Sequence, residues 1–148
     1  MEQPQVNKEW FDKTVPYPVP DLHKLQGQCV QFIRWLLEIM GLPNWGLVAG
    51  AADFWELYER DLSMNQYWDK LPNTPDFLPQ EGDIYIWNKH KGNGYGHIGI
   101  VFGNDHTLRY FHSIESNWKP LVVTVVQHNY NDVFGFFRLK SLEEKESD

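Results

Sequence analysis

Cys29 is the only cysteine among the 148 residues, and its surroundings favour nucleophilic chemistry. A single thiol can form no internal disulfide and cannot build a cysteine-rich zinc site. The apolar spacing that follows it predicts a helix with Cys29 in the first turn, where unpaired amides and the helix dipole stabilise a thiolate. Gly27 and Gln28 before it are typical of a tight turn that exposes a side chain. The same spacing places Cys29 near the apolar face, so a buried structural thiol remains the alternative.

His97 is the histidine whose position best suits a base for such a thiol. It follows the glycine-rich segment 92–96 at the predicted start of a strand, and Gly96 and Gly99 flank it. Because glycines carry no side chain, they leave room for the backbone of a ligand to approach. The alternative is an ordinary exposed histidine at the end of a strand.

Glu115 and Asn117 could orient an imidazole. They are two residues apart, so they face the same side of a predicted strand. A carboxylate or an amide that accepts a hydrogen bond from a histidine holds its tautomer and its orientation in nucleophilic triads. The alternative is that both residues belong to a solvated strand face.

Six histidines also raise the possibility of a zinc amidase or peptidase. The sequence contains no His-Glu-x-x-His motif, and neither the pair His90 and His97 nor the pair His106 and His112 has a recognisable metal-ligand spacing. We therefore expect no metal and no other cofactor.

The elements that must position these residues follow from hydrophobic periodicity. Apolar residues at helical spacing predict a helix from about Gln28 to Met40, and residues 51–58 predict a second, less regular one. Residues 61–82, with three prolines, are predicted to form a loop. Alternating runs then predict five strands, at Asp83–Trp87, His97–Phe102, Leu108–Ile114, Leu121–Gln127 and Val133–Leu139. Helices followed by an antiparallel run of strands indicate an α+β fold.

Composition restricts the function classes. A length of 148 residues with 42% hydrophobic residues fits one folded domain. The formal net charge of −7, without a basic cluster, argues against nucleic acid as a partner. The first thirty residues lack the apolar stretch of a signal peptide, and no run of 18 apolar residues suggests a membrane span.

Six strings, in the same order along the chain, resemble the CHAP domains, the cysteine, histidine-dependent amidohydrolases and peptidases. They are Gly27-Gln28-Cys29-Val30, Gly50-Ala51-Ala52-Asp53-Phe54-Trp55, Gly82-Asp83-Ile84-Tyr85-Ile86-Trp87, Tyr95-Gly96-His97-Ile98-Gly99-Ile100-Val101, Glu115-Ser116-Asn117-Trp118 and Val133-Phe134-Gly135-Phe136-Phe137-Arg138. The resemblance implies a papain-like α+β fold, with the catalytic cysteine at a helix N-terminus packed on an antiparallel sheet of about five strands. The catalytic domain would span residues 27–140, between an extended Pro-rich segment at 1–26 and a charged tail at 141–148.

The resemblance also implies roles for individual residues. Cys29 would be the nucleophile, His97 the general base and Glu115 the residue that orients His97. Asn117 would be a supporting polar group near the oxyanion, and Gln28 a probable oxyanion donor beside the cysteine.

The implied activity is hydrolysis of an amide bond in bacterial peptidoglycan through an acyl-thioester. We expect a phage endolysin that acts as an N-acetylmuramoyl-L-alanine amidase; the alternative is a DD- or cross-bridge endopeptidase of the same mechanism. Tyr95 and Trp118 are candidates for groove walls against glycan or stem peptide, with a core position as the alternative. The expected protein is a monomer without a membrane partner, made in the host cytoplasm without a signal peptide and acting on the wall in the periplasm after release.

Some CHAP lysins of this type hold calcium beside the catalytic cysteine. Calcium takes about 6–8 oxygen ligands and depends on carboxylates for its affinity. The segment Thr14–Gln28 offers only Asp21, and the residue two after the cysteine is Gln31. We therefore expect no calcium site.

Overall fold

The computed structural model describes residues 29–46, 48–90, 94–101, 106–116 and 123–140. The helices come first: α1 is Cys29–Ile39, α2 is Phe54–Leu57 between the 3₁₀ turns Ala51–Asp53 and Tyr58–Arg60, and α3 is Leu62–Tyr67. The strands are β1 Trp68–Pro72, β2 Ile84–Trp87, β3 His97–Val101, β4 Phe111–Ser116, β5 Val123–His128 and β6 Val133–Leu139. None of the helices within these ranges is long and apolar enough to cross a membrane.

The strands form one antiparallel sheet in the order β1-β6-β2-β3-β4-β5. The predicted α+β class is therefore confirmed. The strand that begins with His97 lies near the middle of the sheet, between β2 and β4. Six strands are present among the described residues, where five were predicted.

Helix α1 buries the apolar stripe that predicted it. Ile33, Leu36 and Leu37 are buried in a core cluster with isoleucines of β2, β3 and β4. The turn that follows the helix contains Gly41, which has a φ of 73°; its amide donates to the carbonyl of Glu38, and the Leu42 amide donates to that of Leu37. This arrangement satisfies carbonyls that a helix end leaves unpaired. The predicted helix from about Gln28 to Met40 is confirmed within the described residues.

The predicted loop at 61–82 is wrong in its first half, because that stretch forms α3 and β1. The Asp61 side chain accepts a hydrogen bond from the Met64 amide at 3.1 Å and so caps α3. Strand β1 pairs only with β6, so it is an edge strand, where a terminal proline costs no ladder hydrogen bond. The prolines that indicated a loop are therefore compatible with a sixth strand.

Strand β6 has the predicted bounds, and the second helical segment is confirmed as a short α-helix with 3₁₀ turns at both ends. Strand β4 begins three residues later than predicted. The Thr107 hydroxyl accepts hydrogen bonds from the Arg109 and Tyr110 amides at 3.0 and 3.1 Å, and this turn occupies the start of the predicted run. The predicted segments at 1–26 and 141–148 lie outside the described residues.

The sheet buries side chains on both faces. Isoleucines of β2, β3 and β4 point towards α1 and form part of the core cluster. The alternate positions carry a second set of buried side chains, here called the aromatic cluster: Tyr85, Trp87, Val101, Phe111, Val133 and Phe136. His97 lies on the strand face of this second cluster, because it precedes Ile98 by one residue.

A buried ion pair joins the start of β2 to the end of β6. The Arg138 guanidinium donates two hydrogen bonds of 2.9 Å to the Asp83 carboxylate, which is 1% exposed. Burial raises the pKa of Asp83, whereas the hydrogen bond to that carboxylate raises the pKa of Arg138. The pair links the neighbouring strands β2 and β6. It lies at the end of β2 opposite to Trp87, the residue that pairs with His97.

Candidate active site

His97 is the first residue of β3 and is paired with Trp87 of β2. It is 6% exposed, so the alternative of an exposed histidine at a strand end is wrong. Its ring centroid lies 5.1 Å from that of Trp87, at an interplanar angle of 35°, and 6.3 Å from that of Tyr85. Two large aromatic rings therefore define the position of the imidazole.

The protonation state of His97 follows from this burial. Desolvation, and secondarily repulsion by His128, lower the pKa of His97 to about 3. At neutral pH the imidazole is therefore uncharged. An uncharged imidazole has a lone pair on one ring nitrogen, which is the form that a general base requires.

The two glycines that flank His97 serve the packing of the protein itself. A Cβ on Gly99 would lie 2.6 Å from the Tyr85 hydroxyl oxygen, and a Cβ on Gly96 would lie 2.6 Å from both the Ala52 Cβ and the Trp87 carbonyl oxygen. Gly96 also has a φ of 79°, a conformation that favours glycine. The expectation that these glycines leave room for a ligand is wrong, because protein atoms fill the space.

A second buried histidine, His128 at the end of β5, belongs to the same site and was missed from the sequence. It is 6% exposed, and its ring lies 4.4 Å from that of Trp87. Its Nε2 atom is 3.5 Å from the Tyr85 hydroxyl, which is also 3.1 Å from the Ser113 hydroxyl. The alternation of strand faces along β5 could have indicated that His128 is buried. Its pairing with Phe111 on β4, in contrast, depends on the tertiary structure.

Cys29 begins α1, as the helical spacing predicted. The helix packs against β3 and β4, which are the strands that contain His97 and Glu115. The fold therefore brings together the three elements that carry the predicted nucleophile, base and orienting carboxylate. The contact between thiol and imidazole lies outside what the structure describes and stays a prediction.

Glu115 lies in β4, paired with Thr124 of β5. Position 115 is the last but one residue of β4. Strands β3 and β4 are paired at Ile100 with Ile114, one residue before Glu115. The predicted roles of Gln28, Asn117 and Trp118 concern residues outside the described ranges.

Tyr95 lies two residues before His97 and is 60% exposed, which excludes the core alternative for its side chain. Its carbonyl accepts a hydrogen bond of 2.9 Å from the Ala52 amide. A shallow cleft of about 380 Å³ lies next to this contact. The cleft is lined by Ala52, Asp53, Glu56, Asn88, Lys89, His90 and Phe134.

The floor of this cleft is aromatic and its walls are polar. Phe134 is partly exposed and stacks on Trp55, with ring centroids 5.9 Å apart and planes 5° apart. Lys70 covers the Trp55 ring at 4.5 Å. Asp53 and Lys89 form an ion pair of 3.6 Å at the rim.

Within the part of the chain that the structure describes, no three His, Cys, Asp or Glu side chains are grouped so that they could hold a metal ion.

Comparison with known proteins identifies the sequence family. The family model described as the CHAP domain matches residues 19–117. The chain is 28% identical over 148 aligned residues to a protein named "Probable autolysin PH" from Staphylococcus aureus (strain NCTC 8325 / PS 47); the alignment covers 89% of this chain and 29% of the relative.

Solved structures show the same fold. The wild-type endolysin LysIME-EF1 superposes with a TM-score of 0.54 at 19% identity, over 79% of this chain and 61% of the other. The structure of Ly7917, solved "with the hydrolyzing product of MDP", gives a TM-score of 0.57 at 17% identity, over 76% of this chain and 54% of the other. The chain thus spans less than a third of the staphylococcal relative and somewhat more than half of these two structures.

Proposed function

Because the chain belongs to the CHAP domain family, we propose that it is a peptidoglycan hydrolase in which the Cys29 thiolate attacks an amide and His97 is the base. The observation that carries this proposal is the position of His97, which is buried at the start of a strand against which the Cys29 helix packs. The helix N-terminus favours the anionic form of a thiol at Cys29.

The proposed reaction has two halves. His97 takes the proton from Cys29, the thiolate adds to the amide carbon, and the Cys29 backbone amide holds the oxyanion with a donor from Gln28 or Asn117. His97 then protonates the leaving amine, the C–N bond breaks and an acyl-thioester remains. In the second half His97 removes a proton from water, whose oxygen attacks the thioester and releases the acid and the free thiol.

We propose Glu115 as the residue that orients His97 during these proton transfers. A carboxylate that accepts a hydrogen bond from the imidazole stabilises the imidazolium formed in each half. Glu115→Gln should therefore lower the lysis rate more than Asn117→Ala, since only the first removes a charge. A Glu115→Gln variant at full rate would show that another group orients His97.

For the scissile bond we favour the amide between the muramoyl lactyl group and the first residue of the stem peptide. An amidase must hold a sugar ring next to the scissile bond. The cleft beside Tyr95 offers the exposed face of Phe134 as a platform, with the carboxylates of Asp53 and Glu56 as hydrogen-bond acceptors. Mass spectrometry of the muropeptides released from purified sacculi tests this choice; stem-peptide cleavage with the lactyl amide intact would favour the endopeptidase.

The activity itself is tested with Cys29→Ala and Cys29→Ser. Both should abolish lysis of purified sacculi in a zymogram and leave the circular dichroism spectrum and the melting temperature almost unchanged. His106→Gln, a half-buried histidine that does not line the cleft, is the matched control for single histidine changes and should lyse like the wild type, whereas His97→Gln should not. Lysis by Cys29→Ala would overturn the proposal.

A further inference from the structure

His128 is a buried histidine that the proposed mechanism does not use. Its ring lies 4.4 Å from Trp87, 5.7 Å from Tyr85 and 5.8 Å from Phe111, all measured between centroids. Burying an imidazole among aromatic rings costs free energy unless its nitrogens are hydrogen-bonded. A valine or leucine would fill such a place without that cost, so the polar atoms of His128 need an explanation.

The hydrogen bond between His128 and Tyr85 leads to a ring that contacts His97. The Tyr85 hydroxyl is 3.5 Å from Nε2 of His128 and 3.1 Å from Oγ of Ser113. Tyr85 is fully buried, and the missing side chain of Gly99 makes room for its phenol over β3. Partners on β4 and β5 therefore fix the phenol, and the phenol ring packs against the imidazole of His97.

Trp87 forms a second connection. Its indole contacts the His97 ring at 5.1 Å with a tilted geometry, and the His128 ring at 4.4 Å with an edge-on geometry of 78°. The indole thus has a histidine on each of two sides. Any displacement of His128 would change the support of both aromatic rings that define the position of His97.

We propose that His128 is a positioning residue for His97, acting through its hydrogen bond to Tyr85 and its contact with the Trp87 indole. This inference rests on the proposed role of His97 as the base. In this proposal the residue acts on the imidazole and not on the substrate. It fixes the place and the plane of the imidazole that moves the protons.

Electrostatics supports the same role. Among the described residues, the titratable groups of the aromatic cluster around His97 are Tyr85 on β2, His128 on β5 and Tyr130, which packs on Phe111. A proton on His128 disfavours a second one on His97, and this repulsion is the smaller of the two causes that lower the pKa of His97.

Two substitutions separate positioning from simple packing. His128→Gln places an amide near the position of Nε2 and can keep the hydrogen bond to Tyr85, whereas His128→Phe fills the same space without it. Tyr85→Phe removes the hydroxyl and keeps the ring, so it tests the same bond if His128→Phe does not fold. His106→Gln is the control, because His106 does not line the cleft and follows the end of β3 opposite to His97.

The lysis rate of purified sacculi should fall about tenfold in His128→Phe and in Tyr85→Phe, since small misplacements of a catalytic group cost about 10–100-fold. His128→Gln should recover most of that rate. The second readout is the carbon–proton NMR spectrum of the His97 ring, whose shifts report its position relative to the Trp87 indole. These shifts should move in His128→Phe and Tyr85→Phe, and stay near the wild-type values in His128→Gln and His106→Gln.

A folded His128→Phe variant with the wild-type rate and unchanged His97 shifts would overturn the inference. So would a His128→Gln variant that is as slow and as shifted as His128→Phe, because the hydrogen bond would then not matter. If the wild type lyses no sacculi at all, the proposed function fails, and the NMR comparison still decides whether His128 holds His97 in place.

Discussion

The dependence of stability on pH should report the state of His97 directly. In the unfolded chain a histidine has a pKa of about 6.5, whereas burial lowers the pKa of His97 to about 3 in the folded protein. Below pH 6.5 the unfolded state therefore binds a proton that the folded state does not. The contribution of uncharged His97 to the free energy of unfolding is therefore fully present above about pH 6.5. It is lost progressively as the pH falls towards 3.

The size of the effect follows from the same two pKa values. Each pH unit between them changes the free energy of unfolding by about 1.4 kcal/mol. Between pH 7 and pH 5 the wild type should lose about 2 kcal/mol through His97 alone. His97→Gln cannot lose this increment, because glutamine does not titrate, although it should be less stable than the wild type at both pH values.

The assay is urea unfolding followed by tryptophan fluorescence at pH 7 and pH 5, for the wild type, His97→Gln and the exposed control His90→Gln. The quantity to compare is the loss on acidification, which should be about 2 kcal/mol smaller in His97→Gln than in the other two proteins. An equal loss in all three proteins would refute the argument. A larger loss in His97→Gln would mean that the folded protein stabilises an imidazolium, as a thiolate at Cys29 would.

Three further predictions follow from the packing of the protein and from the oxygen ligands that it offers to calcium. Arg138→Met should destabilise the protein by about 3–5 kcal/mol in urea unfolding, because it leaves the buried Asp83 carboxylate without its partner; a loss below 1 kcal/mol would contradict this. Gly99→Ala should lower stability by about 1–3 kcal/mol, since its methyl group would meet the Tyr85 hydroxyl at 2.6 Å; a variant as stable as the wild type would show that the phenol moves freely. Lysis should survive excess EDTA, and added calcium should not raise the melting temperature, because the segment Thr14–Gln28 supplies a single carboxylate, that of Asp21; inactivation by EDTA together with a calcium-dependent rise of several degrees would contradict this.

Local patterns in the sequence were enough for most of the fold. Helical spacing placed Cys29 in the first turn of α1, and alternation gave β6 its observed bounds, because both periods reflect geometry within one element. The order of the motifs along the chain indicated the family that residues 19–117 match. The same local patterns missed α3 and β1, where prolines suggested a loop and an edge strand tolerates them.

The surroundings of His97 depended on the tertiary structure. The sequence marked His97 as the candidate base from its flanking glycines, yet those glycines make room for Tyr85 and Ala52. His128 enters the site through a contact with Tyr85 that spans 43 residues. Local periodicity states which face of its strand a residue occupies, but it does not state which strands are neighbours. The sequence by itself therefore indicated candidate reactive residues, whereas the order of strands in the sheet decided that His97 is buried among aromatic rings.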